Sequence, residues 1–162
     1  MVRRYLELLF LLAMLLIIPQ SIMAAISTTQ TVTYEIQAIN EIGVSGDPGA
    51  LIINSATSGG APVPVSDNTT TYSITTNQPG ATITGAIDTA MPANTTLTIT
   101  LAAPTGGTSA GAQALSTTAA TLATCVAAVS ESGLTITYQF SATSAAGVIE
   151  SAQKTVTLTV VP

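Results

Sequence analysis

The stretch Leu134-Thr135-Ile136-Thr137-Tyr138-Gln139-Phe140-Ser141-Ala142 alternates apolar and polar residues over nine positions. A period of two is the signature of a β-strand, whose successive side chains point to opposite faces of a sheet. One face of this strand is therefore predicted to be buried, and the other is Thr-rich and wet. Threonine suits the wet face because its branched Cβ packs on the pleat while its hydroxyl bonds water.

The same pattern recurs on either side. Val32, Tyr34, Ile36 and Ala38 alternate with Thr31, Thr33, Glu35 and Gln37. Leu97, Ile99 and Leu101 alternate with Thr96, Thr98 and Thr100, and Val156, Leu158 and Val160 with Thr155, Thr157 and Thr159. Weaker strands are expected at 50–54, 70–75, 81–87, 113–116 and 122–129. The Ala-rich stretch 118–129 also fits a short helix, but β-branched Thr121, Thr124, Val126 and Val129 favour a strand. Turn chemistry separates these runs at Gly46-Asp47-Pro48-Gly49, Ser58-Gly59-Gly60, Asn77-Gln78-Pro79-Gly80, Pro104-Thr105-Gly106-Gly107 and Ser132-Gly133. Residues 61–67, with Pro62 and Pro64, read as an extended connection. Residues 134–145 and 154–161 are expected to pair through the connection 146–150. No 3.6-residue apolar stripe and no fixed repeat appears. The expected fold is all-β, an antiparallel sandwich of roughly seven to ten strands.

The N-terminus reads differently. Arg3 and Arg4 precede an apolar run from Tyr5 to Ile18 that only Glu7 interrupts. Pro19, Gln20 and Ser21 end it, and Ala24 and Ala25 supply small residues for cleavage. This is the layout of a secretory signal peptide, residues 1–24, followed by one domain at 25–162. A retained membrane anchor would need about 20 apolar residues, and Pro19-Gln20 cuts this run short. A twin-arginine signal fits poorly with Tyr-Leu-Glu after the arginines. The expected destination is outside the cell, at its surface, or the periplasm, with no membrane attachment once the signal is removed.

Composition excludes several functions. The chain of 162 residues is 47% hydrophobic and 7% charged, with three Lys and Arg, no His and no Trp. Triads and most zinc sites need His, and a nucleic-acid surface needs many cations. Beyond residue 24 the one cation is Lys154, against Glu35, Glu41, Asp47, Asp67, Asp88, Glu131 and Glu150. A lone Lys near a strand invites a salt bridge to one of these acids.

Each candidate site has a plainer alternative. Cys125, the single cysteine, could cross-link two chains, but reads better as a small buried hydrophobe. Asp47, Asp67 and Asp88, with Asn68 and Asn94, could offer oxygens to calcium, yet no D-x-[DN]-x-[DN]-G loop is present. Asn68-Thr69-Thr70 and Asn94-Thr95-Thr96 match the glycosylation sequon and read as turn residues. A carboxylate pair for glycoside hydrolysis lacks an aromatic platform, because beyond residue 24 the aromatics are Tyr34, Tyr72, Tyr138 and Phe140, and most of them fall on expected core faces. The Thr rows are too irregular for an ice-binding face. No catalytic, cofactor or metal residue is assigned.

The segments Leu134-Thr-Ile-Thr-Tyr-Gln-Phe-Ser-Ala-Thr, Lys154-Thr-Val-Thr-Leu-Thr-Val and Thr95-Thr-Leu-Thr-Ile-Thr-Leu resemble small secreted bacterial surface domains of immunoglobulin-like type, including fimbrial and coat subunits. The chain lacks the Cys pair of chaperone–usher pilins and the Cys…Trp…Cys set of antibody-type domains. The resemblance implies a non-enzymatic structural subunit of a cell-surface filament or layer, with other copies of itself as partner. Strands so poor in charge have few guards against edge-to-edge pairing. Residues 25–30, if loose, could carry the following strand into the next subunit. The alternative is a monomeric adhesion or carbohydrate-binding module using loops 77–80 or 103–110.

Overall fold

The computed structural model describes residues 25–125 and 127–162. The segment read as a signal peptide lies outside them. Residues 36–162 form one compact unit that carries all the strands described here.

The protein is all-β. Among the described residues nine strands run as β1 (Asn40–Val44), β2 (Val65–Thr76), β3 (Thr82–Ile87), β4 (Thr95–Leu101), β5 (Thr108–Ser109), β6 (Gln113–Ala114), β7 (Ala120–Thr124), β8 (Val129–Ala142) and β9 (Val156–Val161). They make two antiparallel sheets, ordered β1-β2-β8-β4-β6 and β5-β7-β3-β9. The stretch that opened the sequence argument is the middle of the first sheet: β8 pairs with β2 on one side and β4 on the other. Its apolar row turns inward, with Leu134, Ile136 and Tyr138 buried, as are Leu97, Ile99 and Leu101 of β4. Tyr72, Ile74, Ile83 and Leu122 complete the best-covered part of the core, each at 0–1% exposure. Fully burying side chains of this size contributes about 1.5–3 kcal/mol each.

Three expectations fail, and in each the pairing of strands decides the outcome. Residues 31–38 form no strand; residues 25–39 carry no regular element, and the first strand begins at Asn40. The side chain of Asn77 holds that approach, donating to the Gln37 carbonyl at 2.8 Å and accepting from the Ile39 amide at 2.9 Å. Residues 50–54 are likewise not a strand, and only an isolated bridge between Ala56 and Pro62 follows them. The expected hairpin of the last two strands is also absent: β8 and β9 belong to different sheets, and β9 pairs with β3. Both strands still send their apolar rows toward one core, but from opposite sheets. Alternation chose the face correctly and could not choose the neighbour.

Other boundaries shifted. β2 is longer than residues 70–75 and takes in the end of the segment read as a connection. Within the Ala-rich stretch 118–129 the strand β7 covers only Ala120–Thr124, with Thr121 and Thr124 in it, and Val129 opens β8 instead. Ser132-Gly133 is no turn but lies inside β8. Gly133 has φ +74° there, opposite a register shift between Tyr72 and Ile74 of β2, so a bulge replaces the turn. Pro104-Thr105-Gly106-Gly107 is a tight turn, closed by the Gly107 amide on the Pro104 carbonyl at 2.8 Å. A Cβ on Gly107 would collide with the Thr124 carbonyl and press on the Pro104 ring, so the close approach of β7 needs glycine here.

Candidate functional site

The core thins toward the end of the sheets where β8 and β4 meet the start of β9. A cleft of about 1220 Å³ opens there, rimmed by residues 46–56 and 143–155. Tyr138 and Phe140 of β8, Leu97 of β4 and Thr70 of β2 line one side, and Val156 and Leu158 of β9 line the other. The wall is mainly apolar because each of these strands presents its inward row to the gap.

Two buried hydroxyls interrupt the strand wall, and the rim adds the charged side chains of Asp47, Glu150 and Lys154. Thr70 is 4% exposed, and its Oγ1 has no hydrogen-bond partner. Leaving a buried hydroxyl unpaired costs about 1–3 kcal/mol. The phenol of Tyr138 is pushed above its ordinary value, first by burial and then by the negative charge of Asp47. Both groups therefore stand in the cleft wall as neutral hydroxyls near pH 7.

β9 forms the free side of the second sheet. It hydrogen-bonds with β3 along one edge, and among the described residues no strand pairs with the other. No charged residue lies between Val156 and Val161. Val156, Leu158 and Val160 are only half-buried, although they pack on the core. β1 of the first sheet lies near β9 without pairing with it, and an uncharged edge strand is a template for a further strand.

The residues singled out in the sequence fall elsewhere. Cys125 is free and 2% exposed. Its amide donates to the Ala81 carbonyl at 2.7 Å and its carbonyl accepts from the Gly80 amide at 2.8 Å, so it fixes the β2–β3 turn. Burial pushes its thiol above the ordinary range, which disfavours the reactive thiolate. Three of the acids hold backbone amides. Asp67 accepts from the Thr69 amide and hydroxyl at 3.1 and 2.8 Å, and these bonds, led by the hydroxyl, lower its carboxyl. Asp88 accepts from the amides of Thr89 and Thr155 at 2.9 and 3.2 Å, tying the end of β3 to the start of β9. Glu131 accepts from the Thr105 amide at 2.7 Å. Among the described residues no three metal-ligating side chains of His, Cys, Asp or Glu type gather.

Lys154 takes neutral partners where the sequence invites an acid: its Nζ donates to Thr89 Oγ1 at 2.6 Å and to the Ala90 carbonyl at 3.0 Å. Asn94 sits at φ +62°, a left-handed conformation that Asn tolerates, and its amide donates to the Ala145 carbonyl at 3.3 Å. Asn68 is exposed within β2. Of the loops considered for binding, 77–80 braces the entry to β1, and 103–110 holds the tight turn and β5.

The cleft had no sequence signal of its own, because it arises from how far two sheets separate. Compared with family models, curated proteins and solved structures, the chain matches none of them.

Proposed function

We propose that this chain is an exported, non-enzymatic structural subunit of a cell-surface filament or layer, and that copies associate through β-strand pairing. In this reading the two sheets are an immunoglobulin-like sandwich, and residues 1–24 are the export signal. The observation that carries it is the uncharged edge of β9, unpaired among the described residues, beside an open cleft. Self-association would satisfy the edge's backbone groups and cover the half-buried row of Val156, Leu158 and Val160. The test is negative-stain microscopy and sedimentation of the purified protein over a wide range of concentration and pH. Ordered polymers or sheets are expected; monomers under every condition overturn the reading.

A monomeric adhesion or carbohydrate-binding module is the second reading. The cleft favours it, since Tyr138 and Phe140 put aromatic surface near the unpartnered Thr70 hydroxyl. Retention of a glycan by a protein that stays monomeric would select this reading over the first.

A further inference from the structure

Within residues 36–162 the inward rows of the two sheets lose their cover toward one end. Along β8, Leu134, Ile136 and Tyr138 are buried, while Phe140 and Ala142 are only half-buried. Val156 and Leu158 of β9, which line the same cleft, are half-buried as well. Stacked sheets lie about 10 Å apart, and side chains from both faces normally fill that gap. Here they leave a cleft of about 1220 Å³. That is room for a small molecule, since such sites commonly measure ~300–1,000 Å³.

Thr70 belongs to this inward side: it sits opposite Ile136 in the register and lines the cleft. Among the described residues its hydroxyl is the one buried side-chain polar atom without a partner. A turn about χ1 exchanges its hydroxyl and methyl, which lets the oxygen meet a bound molecule. The rest of the wall decides what that molecule is. Leu97, Ile136, Phe140, Val156 and Leu158 offer only hydrocarbon side chains. A sugar carries a hydroxyl on most of its carbons, and burying those without partners is costly. An anionic head meets the wrong sign, because Asp47 and Glu150 outnumber Lys154 at the rim. The Lys154 Nζ is already held by Thr89 Oγ1 and the Ala90 carbonyl, and the charge of Asp47 is felt at the Tyr138 phenol. A cationic head would find the two acids only where they are exposed and water weakens the attraction. What fits is hydrocarbon bearing an uncharged oxygen.

We infer that this cleft takes a neutral lipid, its alkyl chain laid between the inward rows of β8 and β9 and an uncharged hydroxyl or ester oxygen hydrogen-bonded to Thr70. The chain supplies the apolar cover that the two sheets lack at this end, and the oxygen gives the Thr70 hydroxyl its partner. A free alkyl alcohol and an acylglycerol share this chemistry. The inference goes beyond both readings of the chain's role and needs neither.

Titration calorimetry of the delipidated full chain tests the site, with dodecanol and monolauroylglycerol each kept below its aggregation concentration. Saturation at one molecule per chain is expected with at least one of them, and the tighter of the two identifies the head. Ionised laurate and dodecylammonium should bind at least tenfold more weakly, and maltose not at all. Thr70→Val keeps the shape of the side chain and removes the hydroxyl. It should weaken the neutral lipid about fivefold and leave the urea midpoint of the lipid-free protein unchanged or higher, a combination that a merely structural role would not give. Ala142→Trp places a ring among the cleft-lining residues and should abolish uptake at an unchanged melting temperature. No saturable uptake, charged heads bound as tightly, or neutral-lipid binding untouched by both substitutions overturns the inference and leaves the subunit reading standing. Preference for maltose overturns it in favour of the carbohydrate-binding reading.

Discussion

Residues 134–142 and residues 31–38 carry the same written pattern and meet different fates. The first lies in β8, held between β2 and β4, with Leu134, Ile136 and Tyr138 buried. The second forms no strand and leaves Val32, Tyr34 and Ile36 exposed. Alternation says which side of a strand wants water and nothing about which strand lies beside it. A strand becomes stable when a neighbour takes up its amides and carbonyls and a core receives its apolar row.

The contrast can be broken most sharply by amide hydrogen exchange in the monomer. Amides of β8 paired to β2 and β4 should exchange at least a thousandfold more slowly than those of residues 31–38, because their opening approaches global unfolding. Equal protection would show that the N-terminal run has found a partner. Matched substitutions come next. Ile136→Ala, at a site 1% exposed, should cost about 2–5 kcal/mol in urea unfolding. Ile36→Ala, at a site 82% exposed, should change monomer stability by less than about 0.5 kcal/mol. A large loss at Ile36 would erase the distinction.

An effect of a different kind concerns the alkaline limit of the paired region. Tyr72 of β2 donates its hydroxyl to the Ala102 carbonyl, and burial raises its phenol from 10.0 to about 12, with Cys125 and Glu131 adding to the rise. The folded state thus keeps a proton that the unfolded chain loses in that interval. The stabilisation is complete below pH 10 and declines as pH climbs toward 12. Urea midpoints should fall across that window, and Tyr72→Phe should flatten this part of the fall. An unchanged slope in the variant would remove Tyr72 as its cause.

How much of this could be read from residues alone depends on whether the cause was local. The rows of β4, β8 and β9 were legible because they are long and cleanly alternating. The turn at Pro104-Thr105-Gly106-Gly107 was legible from its glycines. β1 was missed because Asn40-Glu41-Ile42-Gly43-Val44 has only Ile42 as an inward apolar residue, and its strand state comes from β2. The bulge at Gly133 looked like a turn because both use positive φ. The separation of β8 from β9 depends on where a thirteen-residue connection, 143–155, carries the chain, and no residue in it states that. The cleft and the orphan hydroxyl of Thr70 follow from that crossing, so they were hidden for the same reason.

The burial of Cys125 carries one more consequence. A sulfur atom enclosed by the finished fold can meet a reagent, or another chain's thiol, only while that chain is open. Its alkylation rate is therefore a clock for unfolding, readable without adding a label. Any disulfide-joined pair of unaltered chains recovered from an oxidising compartment marks molecules that linked while Cys125 was uncovered, before folding or during a later opening.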